Sequence, residues 1–345
     1  MEITREDAVV KAIRLCQKDF IELAEVPVPA PGDHQMLIKT GAAVICTSDV
    51  IDIHENPFNI ALPTVMGHEG AGTVVQVGAA VQGFQVGDRV ATHPVHPCGD
   101  CPACRDGNQH LCLNLGHFGI NMPGTMAEYY LVRADRARRI PDSVDFTLAA
   151  LAEPVCVCLE ALAQARLNPG QSLLIIGDGP FGLMMARLAV DLPLKHLVLS
   201  GLESFRLSFA GRAAAVNVSG LDDPAQALLD RVSGEGYDSV ILAVASQAAF
   251  QQGFACLKPK GRLVLFAAAA GRTPVDLFTV HIKELEIIGA CNDQDRFDEA
   301  VQKLSDPALN LSQLVTHTFP IEDYQQAFGL AANGKDQAIK VAFTF

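Results

Sequence analysis

Short apolar stretches alternate with turn residues over the first 150 residues. The stretches at 36–43, 70–77 and 127–132 are each bounded by Gly, Pro or Asp, which is typical of strands separated by turns. Glycines at turn spacing in 78–90, with Gly87-Asp88 among them, add a hairpin signal. This part of the chain is expected to form a small, mostly β, barrel-like domain.

From about residue 155 the pattern changes to apolar runs that alternate with helical periodicity. Strands are expected at 172–176, 196–199, 215–218, 238–244 and 262–266, and helices after Gly182 to about 190 and at 204–212. Such alternation indicates βαβ units and a parallel sheet. The chain is more polar after Gly289, so we expect domains at 1–154 and 155–290, with 291–345 returning to the first.

Composition and charge narrow the classes of protein. The 345 residues are 49% hydrophobic, which suffices for a sizeable core and excludes a disordered or fibrous chain. Lys and Arg number 26 against 39 Asp and Glu, a net charge of −13 that disfavours a nucleic-acid partner. The one dense basic cluster, at 133–139, is interpreted as solvated surface.

No membrane or secretion signal is recognised. The apolar stretch 183–194 is interrupted by Arg187 and Asp191, and charged residues fill the N-terminus where a signal peptide is apolar. We therefore expect no membrane partner and a cytoplasmic location. In that reducing compartment the ten cysteines are expected to be thiols or metal ligands rather than disulfides.

Four cysteines lie close together in a loop rich in Gly, Pro and Asp. Cys98, Cys101, Cys104 and Cys112 form C-x2-C-x2-C-x7-C. Short spacings of this kind let turns bring four thiolates to one zinc ion, and four thiolates leave no open position. An iron–sulfur cluster and unrelated surface thiols are the alternatives, but the last spacing differs from that of bacterial ferredoxins. We predict a structural zinc lobe at 93–115.

A second set of metal-ligand residue types is dispersed along the chain. Cys46 and His68 lie 22 positions apart beside strand-like stretches, and Glu153 comes just before the βαβ region. By themselves a Cys and a His at that distance are more often packed core residues. Mixed Cys, His and carboxylate ligands with an open position are nevertheless what a catalytic zinc requires.

Residues 177–182 read Gly-Asp-Gly-Pro-Phe-Gly between an apolar strand and a helix. In this context Gly177 permits a tight turn, Gly179 lets the backbone approach a pyrophosphate, and Gly182 allows close packing of helix on strand. The start of the helix, at Pro180 and Phe181, offers free N–H groups to phosphates. A dinucleotide site is predicted here.

The end of the next strand bears on which dinucleotide binds. NAD binders usually place an acidic residue there, about 20 residues on, for the ribose 2′-hydroxyl. This chain has Ser200 and Gly201, with Arg206 available to a 2′-phosphate and Glu203 acting against it. The pattern favours NADP(H) over NAD(H).

Taken together, these motifs resemble the zinc-dependent medium-chain dehydrogenase/reductase (alcohol dehydrogenase) family, and within it the sorbitol (polyol) dehydrogenase-like branch. The resemblance covers nearly the whole chain, and its motifs are Gly67-His68-Glu69-Gly70, Gly87-Asp88-Arg89-Val90, the four-cysteine lobe, Glu153-Pro154 and Gly177 to Gly182. It implies a GroES-like β-barrel catalytic domain and a Rossmann doubly wound coenzyme domain, with the active site between them. It also implies a homo-oligomer, a dimer or a tetramer.

The resemblance further implies roles for single residues. Cys46 and His68 hold the catalytic zinc, and Glu153 is the third ligand. Glu69 either ligates this zinc or supports it from behind. Ser48 supplies the hydroxyl that passes a proton from the substrate.

The implied reaction moves a hydride between an alcohol carbon and the nicotinamide, while zinc stabilises the alkoxide. Asp49 is expected to orient a neighbouring ligand. The family's relay histidine is replaced by Ile51, with His54 as a substitute, and Cys291-Asn292-Asp293 replaces an aromatic–Arg–aromatic run. A polyol or secondary alcohol is therefore the expected substrate; threonine, butanediol or a non-catalytic nucleotide-binding role are the alternatives.

Overall fold

The computed structural model describes residues 9–267, 272–334 and 337–345, with Asn333 described by its backbone alone. The chain forms two compact units. Unit 1 comprises the chain up to Pro154 together with Phe297–Pro307 and Val315–Phe345. Unit 2 comprises Val155–Arg296 and Ala308–Leu314. The polar residues that follow Gly289 are thus divided between the two units.

Unit 1 begins with short strands joined by turns. Its elements up to Pro154, and the helix that leads into unit 2, are β1 (Val9–Gln17), β2 (Phe20–Pro27), β3 (Gln35–Val44), α1 (Thr47–His54), β4 (Thr64–Val65), β5 (Glu69–Val77), β6 (Arg89–Thr92), β7 (Val95–His96), α2 (Pro102–Arg105), β8 (Gly116–His117), β9 (Tyr129–Arg133), β10 (Ala137–Arg139), α3 (Phe146–Ala149) and α4 (Ala152–Gln164).

Unit 2 is an α/β unit. Its further elements are β11 (Ser172–Ile176), α5 (Pro180–Leu188), β12 (His196–Gly201), α6 (Ser204–Leu207), β13 (Ala214–Asn217), α7 (Pro224–Leu229), β14 (Tyr237–Leu242), α8 (Gln247–Ala255), β15 (Leu257–Leu265), α9 (Leu277–Lys283) and β16 (Glu286–Gly289). The six strands are parallel in the order β13-β12-β11-β14-β15-β16, which is the doubly wound order of dinucleotide-binding units. β11 is buried along its whole length, as expected of a strand covered on both faces.

The C-terminal part completes unit 1 with α10 (Phe297–Leu304), β17 (Val315–Pro320), α11 (Tyr324–Asn333) and β18 (Lys340–Thr344). The main sheet runs β10-β6-β5-β3-β18-β17, and β9 also pairs with β3. β18 is antiparallel to β3, so the chain's last strand lies beside one of its first. Two smaller sheets, β2-β1-β4 and β7-β8, complete the unit.

The predicted combination of a mostly β unit and a doubly wound α/β unit is confirmed. The helix expected at 204–212 is shorter than predicted, because α6 ends at Leu207 and turns follow up to Gly211, whose φ of 65° is a left-handed conformation. By length and hydropathy alone the stretch Phe146–Gln164 would suit a membrane span, but 67% of its most apolar window is buried inside the protein. It is therefore interpreted as core.

Candidate metal and cofactor sites

The four cysteines of the loop converge in the structure. Cys112 Sγ lies 3.4 Å from Cys98 Sγ and 3.8 Å from Cys101 Sγ, and Cys98 Sγ lies 4.0 Å from Cys104 Sγ. All four are free thiols. Thiolates at about 2.3 Å from a zinc ion form a tetrahedron whose edges are about 3.8 Å. The separations therefore fit a four-thiolate zinc site.

Backbone groups around the lobe favour thiolates. Asn114 N–H donates to Cys112 Sγ at 3.3 Å. The N–H groups of Leu113 and Cys104 lower the pKa of Cys101 to about 6. Burial raises the pKa of Cys104 to about 12, and the Gly99 N–H acts against that rise. Hydrogen bonds from the backbone to sulfur stabilise the deprotonated form that zinc requires. The chemistry of this donor set thus fits a structural zinc ion.

We expect Cys98→Ser to lose one zinc ion per chain and to destabilise the fold, because a structural zinc contributes folding free energy directly. A loss of about 4 kcal/mol lowers the unfolding midpoint of a domain this large by roughly 10 °C. Metal analysis and thermal unfolding of the purified chain measure both effects. Cys16→Ser is the control, since that thiol is half-buried and donates to Glu22 on a neighbouring strand. Equal zinc content and equal midpoints for Cys98→Ser and the parent chain would exclude the structural site.

A second cluster of potential ligands is formed by Cys46, His68 and Glu69. Their ligand atoms all lie within 4.8 Å of one another, and all three residues are buried. The sheet explains the convergence: β3 and β5 are antiparallel, with Val44 opposite Glu69. Cys46 follows β3 at the start of α1, so it lies next to His68 at the start of β5.

Asp49 holds two members of this cluster. One carboxylate oxygen accepts the Cys46 N–H at 2.8 Å, and the other lies 3.3 Å from His68 Nδ1. Burial lowers the pKa of His68, but Asp49 and the Cys46 thiol outweigh it and raise that pKa well above its ordinary value. The expectation that Asp49 orients a neighbouring ligand agrees with this geometry. A buried cluster that offers thiol, imidazole and carboxylate fits a zinc ion.

Lys340 belongs to the site and is absent from the residues found by sequence analysis. Its Nζ donates to both carboxylate oxygens of Glu69, one at 2.6 Å, and also to Ile45 O at 3.4 Å. Lys340 is 2% exposed and Glu69 0%. Burial lowers the pKa of Lys340, but Glu69, Cys46 and Glu153 raise it above its ordinary value. A single Lys between the apolar residues 338–339 and 341–343, at the start of β18, is the signal that the sequence offers.

Glu153, also expected in the catalytic set, lies outside the mutually close group. Glu153 is buried near the start of α4, and it is near enough to influence the pKa of Lys340. Ser48 is half-buried in the first turn of α1. The cluster of thiol, imidazole and carboxylate within the described residues therefore has Glu69, and not Glu153, as its carboxylate.

The side chains considered for a proton relay on α1 point elsewhere. Ile51 is 41% exposed, and His54 Nδ1 lies 2.7 Å from Asp19 Oδ1 in an exposed pair. The buried ionisable group beyond Asp49 on this helix is Asp52, whose pKa rises to about 6 through burial first and Asp49 second.

Three histidines near this cluster are buried or half-buried, with His96 on β7 and His117 on β8. His93 is 3% exposed and His96 5%. The ring of His117 lies 5.6 Å from that of His68. Burial, followed by the charge of His68, lowers the pKa of His117 to about 3. His117 is thus a neutral imidazole beside the cluster.

The glycine-rich turn of unit 2 has the backbone that a pyrophosphate requires. Gly177 has a φ of 123°, and its N–H donates to Ser200 O at 2.8 Å. A Cβ at Gly182 would lie 1.8 Å from Gly177 O, so only glycine fits. Gly179, the residue before α5, has open space where its Cβ would be. Free N–H groups at the start of α5 can therefore face a phosphate group.

The remaining residues predicted to bind the cofactor vary in burial. Pro180 begins α5, and Phe181 is half-buried with its ring 5.1 Å from that of Phe266. Ser200 is fully buried, and its hydroxyl has no hydrogen-bond partner among the described residues. Arg206 is half-buried in α6.

An acidic side chain lies at the end of β12, although Gly201 itself has none. The predicted preference for NADP(H) depends on the absence of a carboxylate at this strand end. The carboxylate of Asp178, from the glycine-rich turn, lies there: its Oδ2 accepts the N–H groups of Leu202 at 2.8 Å and Glu203 at 2.7 Å. The residue at the strand end lacks a side chain, yet the position is acidic.

Comparison with known proteins identifies the family of both units. Residues 32–142 match the alcohol dehydrogenase GroES-like domain, and residues 180–306 match the zinc-binding dehydrogenase domain. The chain belongs to the zinc-dependent medium-chain alcohol dehydrogenase family. As a member it is an oxidoreductase that uses zinc and a nicotinamide cofactor, and its two units are the family's GroES-like and Rossmann domains.

Individual members of the alcohol dehydrogenase family are similar over almost the whole chain. The L-threonine 3-dehydrogenase of Anaeromyxobacter sp. (strain K) is 33% identical and covers 95% of this chain and 96% of its own length. A zinc-binding dehydrogenase from Sinorhizobium meliloti 1021, solved bound to NADP, has a TM-score of 0.93 and 26% identity over 98% of this chain and 100% of its own. An alcohol dehydrogenase from E. coli CFT073, solved with NADH, has a TM-score of 0.91 and 25% identity over 98% and 100%.

Proposed function

We propose that this chain interconverts a secondary alcohol, in a polyol or a related hydroxy compound, and the corresponding ketone. The observation that carries the proposal is the buried convergence of the ligand atoms of Cys46, His68 and Glu69 within 4.8 Å of one another. Two zinc ions per chain are proposed, one held by the four-cysteine lobe and one by Cys46 and His68. Because Lys340 already holds both carboxylate oxygens of Glu69, we propose the buried Glu153 as the third ligand of the second ion. When bound, the catalytic zinc supplies a Lewis acid for the alcohol oxygen, and the nicotinamide accepts or returns the hydride.

The chain's own residues hold the site in shape. Asp49 fixes the Cys46 backbone and the His68 ring, so the thiol and the second imidazole nitrogen can face the same point. Lys340 holds Glu69 through both carboxylate oxygens, and we propose that Glu69 supports the site from behind. Ser48 is proposed to pass the proton of the substrate hydroxyl toward solvent, since it is half-buried within one turn of Cys46.

A second candidate substrate is L-threonine. The 33% identity to an L-threonine 3-dehydrogenase over 95% of the chain favours it, and the hydroxyl of threonine is also a secondary alcohol. The two candidates share one reaction and differ in the groups that flank the reacting carbon.

Nicotinamide absorbance with the zinc-loaded protein tests the proposal. Polyols, diols and L-threonine are each supplied with NAD and with NADP, and we expect turnover of at least one secondary alcohol. Turnover of threonine alone would select the second candidate. Absence of turnover with every compound, in protein shown to contain two zinc ions, would overturn the proposed substrate class.

We also propose that the chain forms a homo-oligomer. Leu277, Phe278 and Ile282 on α9 are 75%, 70% and 58% exposed, and β16 next to it is an edge strand of the six-stranded sheet. Exposed apolar surface beside an unpaired strand edge is suited to pairing with a second copy. Sedimentation equilibrium measures the oligomeric state. We also propose a cytoplasmic location.

A further inference from the structure

The end of β12 is where a Rossmann unit meets the adenosine ribose of its cofactor. NAD binders carry an acidic residue there, because its carboxylate accepts the ribose hydroxyl and repels a 2′-phosphate. In this chain the strand ends at Ser200-Gly201, without a side chain at the last position. The neighbouring strand β11 leads into the glycine-rich turn, whose second residue is Asp178.

The side chain of Asp178 fills the space in front of Gly201. A Cβ at Gly201 would come within 2.3 Å of Asp178 Cβ, 2.4 Å of its Cγ and 2.5 Å of its Oδ2. Contacts this short do not occur between non-bonded atoms, so a side chain at 201 and the present Asp178 exclude each other. The carboxylate thus stands where the side chain of a residue at the strand end would begin.

The carboxylate is fixed in that position. Its Oδ2 accepts two backbone N–H groups, from Leu202 and Glu203, directly after the strand. Its Oδ1 receives no hydrogen bond from the described part of the chain, and Asp178 keeps 8% exposure. An ionised carboxylate has about four acceptor positions, so one oxygen remains able to accept a hydroxyl. Glu203, whose N–H Asp178 accepts, adds a second acidic side chain directly before α6, on which Arg206 is half-buried.

We propose that Asp178 takes over the function of the missing strand-end acid and makes the enzyme prefer NAD(H) to NADP(H). The inference rests on the proposed dehydrogenase function. The carboxylate comes from the turn after β11 and not from the end of β12. It accepts the ribose 2′-hydroxyl and repels a phosphate group at that position. Gly201 is then required to make room for Asp178, and its lack of a side chain is not a sign of NADP(H) binding.

Calorimetric binding of nucleotide fragments tests the assignment without turnover. We expect the zinc-loaded parent chain to bind ADP more tightly than adenosine 2′,5′-bisphosphate. A hydrogen bond to a charged acceptor corresponds to about a tenfold to a hundredfold change in affinity. Asp178→Ala is therefore expected to reduce the ADP preference by at least about tenfold.

The double variant Asp178→Ala/Gly201→Asp gives the sharper result. With Asp178 shortened, an acid at the strand end has room, and we expect the ADP preference to return toward that of the parent. Asp178→Asn keeps the size of the side chain and removes its charge, so it separates repulsion from packing and should behave like Asp178→Ala. Glu235→Gln is the control. It removes one charge just before β14 begins, at the amino ends of the strands, and should leave the preference unchanged.

Two outcomes would overturn the assignment. One is a parent chain that binds the 2′-phosphorylated fragment as tightly as ADP or more tightly. The other is an unchanged preference in folded Asp178→Ala and Asp178→Asn. A zinc-loaded parent chain that binds neither fragment would overturn the proposed dehydrogenase function and the assignment with it, whereas binding with an unchanged preference removes only the assignment.

Discussion

Replacing Cys46 by alanine is expected to remove one of two zinc ions and to abolish turnover. The thiol lies at the start of α1 within 4.8 Å of the ligand atoms of His68 and Glu69, and no other thiol belongs to that cluster of described residues. A Lewis acid contributes several kcal/mol to stabilising the charge on the reacting oxygen. Its loss corresponds to a decrease in kcat/KM of at least about a thousandfold.

Metal analysis and kinetics of the same preparation check this expectation. Cys98→Ser should also lose one zinc ion, but from the lobe, and its principal defect should be stability and not the chemical step. Cys16→Ala is the matched control, because that thiol lies on β1 and donates to Glu22. If Cys46→Ala retained both zinc ions and full activity, Cys46 could not be a ligand.

The sequence predicted five of the six strands of unit 2, and most clearly a short apolar run that is covered on both faces, such as Ser172–Ile176. It missed β16, whose residues are mostly exposed. Helix ends were less reliable. The apolar periodicity of 204–212 predicted two turns or more, but α6 stops at Leu207 because the chain must turn at Gly211 to enter β13. Local pattern indicates that a helix forms, and tertiary constraint decides where it ends.

The site was accessible to sequence reasoning only where ligands are close in the chain or belong to a recognisable motif. The four cysteines lie within 15 positions, so their spacing alone indicated a metal. Lys340 and Glu69 lie 271 positions apart and meet because β18 pairs with β3 beside β5. No local pattern contains such a contact.

Asp178 shows the same limitation at shorter range. It is 24 positions from Leu202, whose N–H it accepts. It lies in the glycine-rich motif, from which only the glycines were used to predict the dinucleotide site. Reading Gly201 by itself led to the conclusion that the strand end was not acidic. Whether a position is charged depends on which side chain fills the space, and a neighbouring loop can supply that side chain as well as the strand itself.

The buried pair of Lys340 and Glu69 is expected to be the most sensitive ion pair of unit 1. Lys340→Met leaves the Glu69 carboxylate buried without its cation, and breaking such a pair costs about 3–5 kcal/mol in the free energy of unfolding. Urea unfolding measures the loss of unfolding free energy. The protein is metal-free in this experiment, because a bound zinc ion would otherwise compensate the charge of the carboxylate. Lys11→Met is the control, since Lys11 forms its ion pair with Glu322 in solvent, where screening makes such pairs weak.

The double variant Lys340→Met/Glu69→Gln distinguishes a charge effect from a packing effect. If the penalty comes from the uncompensated carboxylate, neutralising Glu69 should recover most of the stability lost in Lys340→Met, because the buried charge is gone. If the penalty comes from the loss of the lysine's contacts, such as that of Nζ with Ile45 O, the double variant should be no more stable than the single one. Recovery would establish that Lys340 is present in the core to neutralise the buried charge of Glu69.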